Sequence, residues 1–444
     1  MKRWLVILLV LLALVILVSP GIIGRLAEQN MEENIQWAKN ESPGLNITTE
    51  AFDRGWFTSE GKHRVVFQGG RFRDATEKYA AVTGNPELPS LIIDTRFDHG
   101  LVPVTSLSRH AGSLAPGLAS TLSTFHLDPG NGEPLPLPGT LYSNVSLTGA
   151  TDSRLLVETG SYEHEDIQVD WDGADLKIYS NRGSGEMSVH GTIDPVTISG
   201  EDGRASIGVI RIDADQVRTE YGFNVGPANL TVGAMTLEDS GQKFVLGGMD
   251  VKMDSTLEDG RVDSTGTVAI RDVSIPGFGD VALVMDTSMN GFHAASLGAI
   301  VKALREAQAA DDPNMALQML YPDIEGDLQT LASSGAEIRF DQFDITLPQG
   351  TVATKIAVAV PESDGGADFS WPAVLLGMTA SIDIRLPAEL FDMATMMNPQ
   401  AGALLAMGIL QKEGNDYVMA AEYAQGLVSV NGVPMPIPIP GLSP

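Results

Sequence analysis

The densest supply of chemically useful side chains is the stretch EHEDIQVDWDGAD, residues 163–175. Glu163, His164, Glu165, Asp166, Asp170, Asp172 and Asp175 offer the clustered oxygens that a hard cation requires. Their spacing is not that of a helix–loop–helix calcium site, and strand alternation sends neighbouring carboxylates to opposite faces. A solvated sheet edge closed by an Asp-Gly turn accounts for the stretch better, and charge there opposes edge-to-edge aggregation. GFGDVA (277–282) fits G-x-G-x-x-A. A dinucleotide site needs a helix to begin there, and LVMDTSM, which follows, reads as strand, so a hairpin loop is expected. The seven histidines, at 63, 99, 110, 126, 164, 190 and 293, form no H-E-x-x-H, and there is no G-x-S-x-G elbow. A Ser-His-Asp triad assembled across strands is set by space rather than by order, and it stays open as a third reading. With no cysteine, thiolate nucleophiles, thiolate metal sites and disulfides are excluded.

FDRGWFTSE, residues 52–60, puts a cation, a glycine and large aromatics side by side in a chain only 6% aromatic. In a strand, Phe52, Arg54 and Trp56 share one face and Ala51, Asp53, Gly55 and Phe57 the other. Gly55 fits a bulge or a close backbone approach. The polar TSEG then turns the chain into KHRVVFQGG, giving a hairpin under an aromatic lid.

The elements around these residues are sorted by charge and period. A net charge of −29 disfavours nucleic acid and anionic headgroups as extensive partners, and 43% apolar residues suffice for a core. Lys2 and Arg3 precede an apolar run from Trp4 to Val18, followed by Ile22 and Ile23. This is either a cleaved signal sequence or a retained anchor. About 20 residues through Gly24 are enough to span a bilayer, and the reading favours an anchor with the remaining chain outside the cytoplasm. Residues 25–44 read as a stalk helix, stopped by Ser42-Pro43-Gly44.

From 45 to 290 the apolar period is two, punctuated by Asp172-Gly173, Asp202-Gly203 and Asp259-Gly260, which signal hairpins. Residues 291–335 return to a helical period, with Leu297, Ile300, Val301 and Leu304 on one face. A DDPN break and a second helical stretch follow. The segment 336–444 is strand again, with a short methionine-rich helix in FDMATMMNPQAGALLAMGIL and a closing hairpin at Asn431-Gly432. The expected class is therefore α+β and mainly β. It comprises a long curved antiparallel sheet, a helical hairpin insertion and an N-terminal transmembrane helix.

Taken together, Phe52-Asp53-Arg54-Gly55-Trp56-Phe57-Thr58-Ser59 after an N-terminal apolar segment resembles the hallmark of the YdgA/YihF-type bacterial family, domain of unknown function 945. The resemblance returns in LASSGAEIRFDQFDITLPQG, where Leu347-Pro348 stands for the usual Thr-Pro before Gly350. It returns again in ASIDIRLPAELF and YAQGLVSVNGVPM. It implies a Gram-negative envelope protein held in the inner membrane with its body in the periplasm, and it carries over no catalytic residue. Phe52, Asp53, Arg54, Gly55, Trp56, Phe57, Pro348, Gly350, Asn431 and Gly432 are assigned structural or interaction roles. The expected function is non-enzymatic, without cofactor or nucleic acid. An apolar sheet face would bind lipid or another envelope component, and the alternative is a self-associating scaffold, such as a homodimer.

Overall fold

Period-two patterning becomes strand: of the described residues 63% are strand and 18% helical, which places the chain in the mainly β class. The computed structural model describes residues 45–67, 88–99, 117–130, 133–164, 167–201, 203–239, 241–277, 279–310, 313–363 and 369–435, with isolated helical positions at 32, 35, 36 and 39. The proposed anchor 1–24 and nearly all of the stalk 25–44 lie outside the described residues. Among the described residues no helix is long and apolar enough to cross a membrane.

The chain divides into two units. The first, drawn from Met1–Gly160, Asp172–Ile193 and Leu304–Met319, is built on an antiparallel meander. Its strands β1 (Leu45–Arg54), β2 (Thr58–Phe67), β3 (Ser90–His99), β4 (Gly117–Asp128), β5 (Leu135–Ser146) and β6 (Thr151–Val157) pair in succession. Strands Ala174–Asn181 and Glu186–Ile193 continue the order beyond β6. Register decides which side chains share a face, because residues directly opposite point the same way. Ile47, Val65, Leu91, Leu127 and Leu135 stand opposite one another on β1 to β5. The adjacent face carries Lys62, Asp94, Thr124 and Thr140.

The second unit comprises Ser161–Trp171, Asp194–Ala303 and Leu320–Pro444. Nine strands, Ile210–Arg218, Ala228–Val232, Gln242–Glu258, Arg261–Ile275, Gly279–His293, Glu337–Leu347, Gly350–Ala359, Thr379–Pro387 and Asp416–Ala424, pair antiparallel in that order. The 17-residue strand Gln242–Glu258 is shared. Its first five residues pair with Met235–Asp239, and Met249–Met253 pair with Ala228–Val232, with Gly247-Gly248 at the branch. Asp259-Gly260, both at positive φ, close the hairpin that sets Glu258 opposite Arg261.

The insertion between Gly279–His293 and Glu337–Leu347 holds three helices, Ala294–Ala309, Pro313–Met319 and Tyr321–Ala332, rather than a two-helix hairpin. Pro322 lies in the first turn of the third, where a missing N–H costs nothing, and so starts a new helix within the stretch that periodicity read as continuous. Two small cores sit in this unit. Val262, Phe292, Ala294 and Ala336 pack with Leu257, Met289, Leu297 and Leu331. Ala388 and Phe391 of helix Ala388–Met397 pack with Leu410 and Tyr417, the Phe391 and Tyr417 rings being 4.7 Å apart.

Candidate functional site

Across the nine strands of the second unit, the register lines up residues that the sequence scatters over more than two hundred positions. Ile212, Leu230, Val251, Val268, Met285, Phe343, Thr354, Ile384 and Met419 form one cross-strand row. Two residues along each strand, on the same face, lies a second row: Ile210, Val232, Met249, Ile270, Leu283, Ile345 and Val352. The opposite face reads Asp213, Asn229, Lys252, Thr267, Asp286 and Gln342. One face is thus apolar almost without interruption and the other is polar.

Within these two rows only Val232 is buried; the rest are half-buried. The helices of this unit cover the face at its ends. Leu297 and Leu331 pack near Leu257 and Val262, and Phe391 packs near Leu386 and Tyr417. Apart from Met419, which packs against the second core, the residues of the two rows belong to neither core. Eight inter-strand spacings of ~4.8 Å make the longer row about 38 Å, which exceeds the ~30 Å hydrocarbon thickness of a bilayer.

The sequence-derived motif residues lie at turns. Phe52, Asp53 and Arg54 end β1, and Phe52 packs edge-on against Phe97 at 5.8 Å. The turn is Gly55-Trp56-Phe57 itself, and TSEG forms the start of β2 instead of the turn expected there. Gly55 N–H donates to the Thr58 carbonyl at 2.8 Å, and a Cβ at residue 55 would stand 2.5 Å from that oxygen. The close approach demands glycine, whereas the bulge in this hairpin lies at Thr49/Ala51. Trp56 is 57% and Phe57 49% exposed.

Pro348 sits in the two-residue turn between Leu347 and Gly350. A Cβ on Gly279 would lie 2.6 Å from Pro348 Cγ, and one on Gly350 (φ +132) would lie 2.7 Å from Pro387 Cγ. The two family motifs containing leucine-proline therefore meet, proline against glycine, along one end of the sheet. Asn431 (φ +50) and Gly432 (φ +77) form the turn that sets Val430 opposite Val433. The Asn431 amide donates to the carbonyls of Gly408 at 2.9 Å and Ile409 at 3.0 Å, and its oxygen accepts from Ala420 N–H at 2.9 Å.

The first unit differs in what it buries. Ser59, His63, Ser90, Asp98, His99, Ser120 and Ser123 are all buried on β2, β3 and β4. Arg64 binds Glu50, Ser90 Oγ (2.5 Å) and Asp128 (2.6 Å), tying four strands together on the polar face. The Arg64 guanidinium holds the Asp128 carboxyl below its ordinary range, aided by Gly130 N–H. Ser59 Oγ and His99 Nε2 are 3.0 Å apart. They are two of the three residue types of a hydrolytic triad, but each is only 2% exposed, so no substrate carbonyl reaches the hydroxyl. Burial pushes the His63 imidazole below its ordinary pKa.

Of the acidic stretch 163–175, Glu165 and Asp166 lie outside the described residues. Asp175 accepts a two-pronged ion pair from Arg154 at 2.8 and 2.6 Å, which occupies both its oxygens. Gly277 and Gly279 of the G-x-G-x-x-A match bracket the hairpin between Ile275 and Gly279. The apolar rows had no signal in any single segment beyond alternation, because only the register brings them together.

These features define a mainly β, antiparallel protein with one apolar sheet face left half-buried. The chain matches, over residues 1–438, the family described as bacterial protein of unknown function (DUF945), and it belongs to that family. No curated protein and no solved structure matches it.

Proposed function

We propose that this is a non-enzymatic periplasmic protein, tethered to the inner membrane by residues 1–24, whose apolar sheet face holds the acyl chains of an envelope lipid. The observation that carries the reading is the pair of apolar rows crossing the second unit between helix-covered ends. A continuous, half-buried apolar face of this extent marks a binding site more often than a free surface. Each methylene covered is worth about 0.8 kcal/mol, so ten buried methylenes supply about 8 kcal/mol before ordering costs are subtracted. A small polar ligand gains nothing comparable there. Lys2 and Arg3 ahead of the apolar run support the orientation. The buried Ser59–His99 pair is read as a structural contact, which disfavours the hydrolase alternative.

Native mass spectrometry of the full chain, followed by organic extraction, tests this reading. Co-purifying lipid that survives mild delipidation supports it. A lipid-free protein, monomeric or dimeric, rejects it, and the dimer would favour a scaffold.

A further inference from the structure

A second surface is built differently from the sheet face. Helix Ala388–Met397 and the short helix Ala403–Ala406 project methionines and leucines into solvent. Met396 is 83% exposed, Met397 86% and Met407 62%, with Met393 and Leu404 beside them. Leaving these groups in water is unfavourable, yet the segment is held firmly. Phe391 anchors the helix in its core, Ala388 N–H at its start donates to the Asn415 carbonyl at 3.1 Å, and the Asn431 side chain holds the carbonyls of Gly408 and Ile409. Two of the terminal sequence motifs thus converge on fixing this tip.

Its outward stripe has an order. Glu389, Asp392, Met393 and Met396 follow at i, i+3, i+4 and i+7, opposite Phe391, so carboxylates lead and methionines end one helical face. From residue 388 to 410 there is no lysine or arginine. The nearby cations are engaged: Arg385 is forked between Glu413 (3.1 Å) and Asp416 (3.0 Å), and Lys412 lies over the Tyr417 ring. Among the described residues, Glu389 and Asp392 have no ion-pair partner. A second copy of a chain carrying −29, or an anionic bilayer, is repelled by this tip. Methionine is flexible and polarizable and suits an apolar helix face, while the two carboxylates select cations on its flank.

We propose that this methionine tip docks a basic amphipathic helix of another protein, its apolar face on Met393, Met396, Met397 and Met407 and its cations beside Glu389 and Asp392.

The full chain, labelled with 13C at the methionine methyls, is titrated with a Leu/Lys peptide of about 18 residues designed as an amphipathic helix. Controls are a scrambled peptide of the same composition, a Leu/Gln analogue and phosphatidylcholine vesicles. The expected result is saturable binding that shifts the methyl signals of Met396, Met397 and Met407. Affinity should fall about tenfold in the doubly substituted Met396→Gln, Met397→Gln chain and about tenfold for Leu/Gln or scrambled peptide. Glu389→Lys with Asp392→Lys should weaken binding at low salt and less so at high salt. These positions are exposed, so thermal unfolding should be unchanged in the methionine variant and at most slightly lowered in the charge-reversed one, because Glu389 lies in the first helical turn. Equal binding of the scrambled peptide, or binding that leaves those methyls unmoved, would overturn the proposal. Perturbation of the same methyls by the vesicles alone would reassign the tip to a lipid surface.

Discussion

The two units use the same alternation toward opposite ends. In the first unit, β2 to β4 bury serines, histidines and Asp98, and the polar face is bound together by Arg64. In the second, the apolar rows through Val268 and Met285 stay half-buried while the two cores lie at the ends of the face. A buried polar group costs free energy unless it is hydrogen-bonded, so the first unit is committed to one register and one packing. The second keeps apolar surface that folding did not use. Stability and ligand capacity are thereby assigned to different units, and the two respond differently to substitution.

The largest contrast is expected between two phenylalanines. Phe97 is buried against Phe52, and Phe97→Ala should cost about 3–4 kcal/mol. Phe343 lies in the open row, and Phe343→Ala should cost about 1 kcal/mol. Urea unfolding of both variants measures the gap, and equal losses would show that the second face is packed as tightly as the first. Next comes Asn431→Asp, which removes two donated hydrogen bonds and sets a charge against the Gly408 and Ile409 carbonyls. A loss of about 2–3 kcal/mol is expected in the same assay. Ser59→Ala should cost about 1–2 kcal/mol by depriving His99 of a buried partner, with no loss of any hydrolytic activity, since none is assigned to it.

The smallest effect is a pH dependence. Burial holds His63 below its ordinary value of 6.5, so the unfolded chain binds that proton more readily than the folded one. The associated stability is complete above 6.5 and is lost as pH falls from there through the folded value. His63→Phe should flatten that part of a thermal-melt pH profile, and an unchanged slope would assign the acid sensitivity to other groups.

Much of the architecture was legible from local chemistry. Asp259-Gly260 and Asn431-Gly432 announce hairpins because both residues of such a turn take positive φ, and alternation announces the strands. Polarity misled at Thr58-Ser59-Glu60-Gly61, read as a turn because small polar residues favour turns. There Ser59 is buried by its contact with His99, and Gly61 leaves room for Phe52 and Phe97. The helical insertion was visible by period, but its division at Tyr321-Pro322 was not, because proline starts helices as readily as it stops them. The apolar face was beyond reach for a different reason. Ile212 and Met419 face the same way only through eight successive registers, and no single strand encodes them.

The central claim is that acyl chains lie on the apolar face of the second unit. A lipid carrying a photoreactive group near its acyl terminus, irradiated with the full chain and mapped by peptide mass spectrometry, tests it most directly. Labelling should concentrate on Val251, Val268, Met285 and Phe343, fall at least about tenfold when Val268→Asp places a carboxylate in the row, and persist in Thr267→Asp on the opposite face. Labelling that is spread equally over both faces, or that is indifferent to Val268→Asp, would contradict the account.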